Sequence, residues 1–127
     1  MKSYRDLEIY QIAYKLAIKV HEMSLTLPKY ELYEQGSQVR RSSKSVKDNI
    51  VEGYGRKKYK DDFIRFLIYS QSSCDETISQ LKMISDIHFQ DNPLNELITE
   101  YETLGKKINK FIQFVEQSWM TSKNRNL

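Results

Sequence analysis

The sequence is short of every residue that staples or punctuates a chain. Its 127 residues include one cysteine, two prolines and four glycines. The single cysteine, Cys74, allows no disulfide within one chain and no cysteine-based zinc site, which fits a reducing compartment. Scarce Gly and Pro beside abundant Lys, Glu, Leu, Ile and Ser exclude a many-turned β fold and favour long helices. Histidine is nearly absent too. His21 and His88 each lack a glutamate three residues before them, so the Glu-x-x-His pairs that hold metals in helical bundles are missing. Neither metal nor cofactor is expected. Long apolar runs are also lacking. The N-terminal stretch is broken by Arg5, Asp6, Glu8, Lys15 and Lys19, and no run approaches the roughly 18 apolar residues of a membrane span. The expectation is one cytoplasmic domain with no membrane partner, its last residues, about 120–127, a flexible tail.

What is present is heptad spacing, four times over. Ile9, Ala13, Leu16, Val20, Met23 and Leu27 alternate steps of four and three, which predicts a helix over about 4–27. Ser3 and Asp6 are placed for a capping box, and Pro28 ends the run. Val39, Ser43, Val46, Ile50 and Gly53 predict a second helix over about 30–54, with Gly53 and Gly55 supplying its exit. Phe63, Leu67, Ser70, Cys74, Thr77, Leu81 and Ile84 predict a third over about 60–88. Its small central residues let a neighbouring helix approach closely. Leu97, Tyr101, Leu104, Ile108, Phe111 and Val115 predict a fourth, with Asn92 as cap and Pro93 at its first position. The links are short, which makes sequential helices antiparallel. The fold class is all-α, an up-down-up-down four-helix bundle.

Charge is uneven. Between Ser37 and Lys60 eight basic residues face only Asp48 and Glu52, against a net charge of +3 for the whole chain. Concentrated positive charge suits a polyanion, and equally a solvated helix face. The candidates for phosphate contact are Arg40, Lys44, Lys47, Arg56, Lys57, Lys58 and Lys60, with Tyr54 and Tyr59 able to stack on bases or simply to pack at the loop. Beside the heptad row of the second helix runs a polar row of Gln38, Arg41, Ser45, Asn49, Glu52 and Arg56, offset by one residue and so by about 100°. Such a row borders the core. With Gly53 it reads as a structural network whose charge-assisted hydrogen bonds lock helix to helix; Glu52 in particular would repel phosphate unless paired.

No catalytic constellation emerges. "EGYGRKK" has two glycines, but neither the nucleotide loop ending in Lys-Ser/Thr nor the strand that precedes a dinucleotide loop. Cys74 sits on the apolar seam as a small buried thiol. The serines of the second helix have no histidine near them in sequence, and no enzyme is expected.

"RDLEIYQIAYKL" with Asp6, Leu7, Tyr10 and Ala13, "LPKYE" with Pro28 and Glu31, and above all Gln38, Arg41, Ser45, Asn49, Ile50, Glu52, Gly53, Gly55 and Arg56 carry a resemblance, continued by "FIRFL" and Glu76. The chain resembles the four-helix proteins encoded within intervening sequences of bacterial 23S rRNA genes, with a related branch in the accessory variability determinant of diversity-generating retroelements. It departs from the family pattern at Ser72-Ser73, Thr77 and Tyr10. The resemblance implies a homopentamer without enzymatic activity that binds RNA or DNA. The alternative it implies is an adaptor for a reverse transcriptase. Off-seam aromatics such as Tyr33, Tyr69 and Phe114 hint at an interface, and nucleic acid would be drawn more strongly to several positive copies than to one.

Overall fold

A computed structural model describes residues 3–120 and contains four helices: α1 Glu8–Ser24, α2 Gln35–Gly55, α3 Lys60–His88 and α4 Asn95–Ser118. No strand occurs among the described residues. The helices pack in the cyclic order α1–α2–α3–α4, sequential neighbours antiparallel, with α4 closing back on α1. The predicted tail lies almost wholly outside the described residues.

The heptad rows are the core. Every named seam residue of the second and third helices is buried, as are those of the first and fourth apart from half-buried Met23 and Phe111. Cys74 is fully buried and donates its thiol hydrogen to the Tyr101 carbonyl at 3.3 Å. Burial, with the negative charge of Asp75 adding to it, pushes the thiol pKa up to about 12, so the group is inert.

The helix ends differ from the sequence expectations, each for a local reason. The Ser3–Asp6 capping box forms, but it closes a separate 3-10 turn, Tyr4–Asp6, and extended Leu7 divides that turn from α1. The second helix begins five residues later than expected. After Pro28 the chain makes a 3-10 turn, Lys29–Tyr33, that carries Glu31 into the interior, where His88 Nε2 donates to its Oε2 and Gln35 Nε2 donates at 2.7 Å. Glu34 then breaks the path before α2 starts. Asn92 does not cap α4. Asp91 and Asn92 both take left-handed backbone, φ 61° and 51°, which reverses the chain after α3, and the helix starts only at Asn95.

Gly53 is likewise not a helix exit, because α2 continues to Gly55 and neither glycine has positive φ. A Cβ on Gly53 would lie 3.1 Å from Phe66 Cβ and 3.3 Å from the Phe63 carbonyl oxygen, so the glycine is there to let α3 come close. A Cβ on Gly55 would meet nothing within 4 Å.

Two outcomes follow from this packing. Thermal or denaturant unfolding should show Gly53→Ala losing about 1–3 kcal/mol by overpacking, while Gly55→Ala is neutral or gains up to about 1 kcal/mol from helix propensity. The hydrogen bond from His88, aided by Gln35, holds the Glu31 carboxyl below the usual carboxylate range despite its burial. Its pKa is lower folded than unfolded, so its contribution is present above the unfolded value of about 4.3 and is lost as pH falls through the folded value. Melting temperature should therefore drop on acidification below about pH 4.3, and Glu31→Gln should flatten that part of the profile.

Candidate nucleic-acid interface

The seven candidate phosphate contacts divide between two places on the bundle. Arg40, Lys44 and Lys47 follow steps of four and three along one flank of α2. Arg40 identifies that flank as the α1 side: Nη1 donates to Ser24 Oγ at 2.9 Å and Nη2 to the Leu32 carbonyl at 2.6 Å. Arg40 is thus a half-buried tie that holds the α1–α2 connection, not an open phosphate contact. Lys47 is half-buried and paired with neighbouring Asp48. Lys44 is exposed, with no ion pair among the described residues.

The other four gather at the α2–α3 turn. Arg56 is held from three directions: Glu52 Oε1 accepts from Nη2 at 3.1 Å, Asp62 lies 3.8 Å away, and the guanidinium sits 4.9 Å from the Phe66 ring centre. Lys57 Nζ lies 3.9 Å above the Tyr54 ring. Lys60 Nζ donates to the Glu116 carbonyl, which neutralises none of its charge. Lys58 is exposed, its ammonium 5.9 Å from the ring of Tyr59, itself 62% exposed.

This turn is rigidly supported. Trp119 Nε1 donates to the Lys57 carbonyl at 2.9 Å. The Trp119 ring packs edge-on to Phe63 at 5.2 Å, and Phe63 meets Tyr54 and Phe111 in the same manner. Four edge-to-face aromatics clamp the C-terminal turns of α2 and α4 onto the start of α3. The acidic first turn of α3, Asp61 and Asp62, suits the helix dipole and partly balances the lysines.

The fold adds basic residues that sequence proximity does not reveal. The start of α1 and the C-terminal half of α4 lie at the same end, bringing Arg5, Arg65, Lys107 and Lys110 there. Cutting the bundle across its middle separates the charge cleanly. Among the described residues, the half with the α2–α3 turn holds ten Lys and Arg against seven carboxylates, and the opposite half holds seven against ten. Lys44 and Arg40 fall in the acidic half.

The polar row on α2 faces α3, but its charged members do not lock the helices. Glu52 is exposed and pairs with Arg56 one turn along its own helix. Asn49 is half-buried and donates back to Ser45, to the carbonyl at 2.9 Å and the hydroxyl at 3.0 Å. Gln38 and Arg41 are exposed at the rim of an open polar cleft of about 510 Å³ floored by Ser42, Ser45 and Ser73. The bonds across α2 and α3 come from smaller groups. Ser45 and Ser73 hydroxyls meet at 2.9 Å, and Ser42 donates to Gln80 Oε1 at 2.7 Å. Thr77 donates to Ser42 at 2.9 Å, and Ser70 donates to the Val46 carbonyl at 2.6 Å. The helices are too close for long charged chains to fit between them, so hydroxyls replace them. The signal was the run of small residues in both helices.

Among the described residues no group of His, Cys, Asp and Glu is arranged to hold a metal, and no helix is long and apolar enough to cross a membrane. His21 is exposed, whereas His88 is buried against Glu31 with no open pocket at the pair. The assignment of Arg40 as a structural tie has a direct check. Arg40→Ala should cost about 1.5–3 kcal/mol in unfolding free energy through lost charged hydrogen bonds, while Lys44→Ala should change it by less than about 0.5 kcal/mol.

Comparison with known proteins agrees with this architecture. A crystal structure of a protein of unknown function from the S23 ribosomal protein family of Bacteroides thetaiotaomicron superposes with a TM-score of 0.74 at 17% identity, over 83% of this chain and 95% of that one. No curated protein matches the chain. Residues 5–110 match the 23S rRNA-intervening sequence proteins, and the chain belongs to that family.

Proposed function

We propose that this protein is a non-enzymatic, self-associating bundle that binds nucleic acid, RNA in preference, at the end built around the α2–α3 turn. The observation that carries this reading is the separation of charge along the bundle, with the positive half containing a clamped turn that offers Lys57, Lys58 and Lys60 beside exposed Tyr59. A rigid basic turn loses little entropy on binding, and an exposed tyrosine next to a lysine supplies a stacking surface for an unpaired base. The family's association with 23S rRNA intervening sequences supports RNA over DNA.

Arg40, Lys44 and Lys47 are not part of this proposed contact. Arg40 is occupied, and both Arg40 and Lys44 lie in the acidic half. Self-association, which the family resemblance gives as a pentamer, multiplies the positive ends and raises the local potential. An exposed surface rich in tyrosine and isoleucine supports it, including Tyr14, Ile18, Ile68 and Tyr69, each between 45% and 48% exposed.

Binding of a structured RNA with single-stranded loops should weaken steeply with salt, because each phosphate contact releases counterions. Lys57→Glu with Lys58→Glu should leave the melting temperature nearly unchanged. It should also flatten the slope of log K against log salt by at least about 2, on the rule of roughly 0.7–0.9 per phosphate contact and the added repulsion. Undetectable RNA binding by the wild-type protein at low salt overturns the reading. Selective binding of an acidic protein instead of RNA would favour the adaptor role.

A further inference from the structure

Helix α1 carries two apolar rows, and the bundle uses only one. The second row is Tyr10, Tyr14, Ile18 and Leu25, of which the last three are 45–58% exposed. It lies on the α2 side of α1, since Ser24 beside it accepts from Arg40, while Glu8 and Lys19 on the other flank pair with Lys107 and Glu100 of α4. Tyr4, Tyr10 and Tyr14 stack in sequence, with ring centres 4.9 and 5.9 Å apart. Lys44 and Lys47 of α2 border this row, on the flank that Arg40 fixes as facing α1.

The opposite side of the bundle has a matching feature of opposite charge. On α3, Ile64, Ile68 and Ile78 form a row on the α4 flank, away from Ser73 and Gln80, which face α2. Ile68 is 48% exposed and the other two are half-buried. Asp75 of α3 and Glu102 and Glu116 of α4 border it, all exposed, with Lys82 the one basic residue among them. Because the helices pack in the order α1–α2–α3–α4, the α1–α2 face and the α3–α4 face point in opposite directions. Each row begins within the first turns from the basic end. The rows are also nearly equal in length, about 22 Å for Tyr10 to Leu25 and about 21 Å for Ile64 to Ile78, at a rise of about 1.5 Å per residue.

We infer that the occupant of the α1–α2 face is the α3–α4 face of a second copy of this chain. This deepens the self-association part of the proposed function and rests on it. The match is one of apolar row to apolar row, lysine border to carboxylate border, and equal length at equal height. Two different faces on opposite sides make a head-to-tail contact, which must close into a ring or run on as a filament. In a ring with axes side by side, every α2–α3 turn falls on one rim. The lysine turns of all copies then form a single basic surface, while Lys44 and Lys47 serve the contact between copies.

Mixing two half-dead variants tests this. Tyr14→Asp with Ile18→Asp sets carboxylates against the acidic face of a neighbour; Ile68→Lys sets an ammonium against the basic face. Sedimentation or light scattering should show wild-type protein as a multimer and each variant alone as a single chain. Mixed in equal amounts, they should form complexes of two chains and no more, because each retains the face the other lacks. Circular dichroism confirms folding, and Tyr14→Ser and Ile68→Ser replace any variant that does not fold. Wild-type protein that is a single chain overturns both this inference and the self-association it rests on. Multimeric wild type whose variants stay multimeric, or whose mixture stays single-chain, overturns the face assignment alone.

Discussion

The close approach of α2 to α3 is the constraint on which the rest of the molecule depends. Gly53 removes a side chain where Phe63 and Phe66 cross it, and Ser42, Ser45, Ser70, Ser73 and Thr77 keep the remaining interface thin. Small residues bury little apolar surface, so such an interface holds only if its hydroxyls find partners, and here they bond across it or to the backbone. The short path from Gly55 to Lys60 then follows. Helices this close need a tight turn, and the turn presents consecutive lysines because nothing remains for them to pack against except Tyr54 and Tyr59.

The two ends of the bundle are built on different chemistry. At the turn end, Trp119 and Phe63 clamp three helices with aromatic edges and one hydrogen bond to a backbone carbonyl. At the other end, Glu31 and His88 meet in the interior and fix the 3-10 turn before α2. The first clamp leaves positive side chains outside. The second uses polar groups inside and leaves carboxylates such as Asp91 and Glu96 on the surface. The charge separation is thus a by-product of how each end is closed, and it is available for function.

The sequence revealed the helices well and the sites less well. Four heptad rows identified the core residues, because burial on an antiparallel bundle repeats every seven residues and leaves a one-dimensional trace. The ends were less legible. Glu34 and Asn92 adopt backbone geometry set by partners distant in sequence or by consecutive left-handed residues, and neither leaves a periodic signal. Among site residues, the cluster from Arg56 to Lys60 was visible as consecutive charge. Arg40 looked identical to Lys44, yet only the fold shows Ser24 and Leu32 waiting for its guanidinium. Glu52 and Asn49 were assigned across an interface that is too narrow for them. Arg5, Lys107 and Lys110 joined the basic end only through topology.

A bundle whose sides carry complementary apolar rows and whose end carries charge has its tasks sorted by direction: assembly sideways, nucleic acid endways. A hydrogen-exchange footprint of the RNA complex tests that arrangement most directly. The account predicts slowed exchange of amides in and beside Arg56–Lys60 and in the first turn of α3, with no change around Lys29–Tyr33 or Asp91–Asn95. Protection at that acidic end, or protection confined to the α1–α2 face, would contradict it.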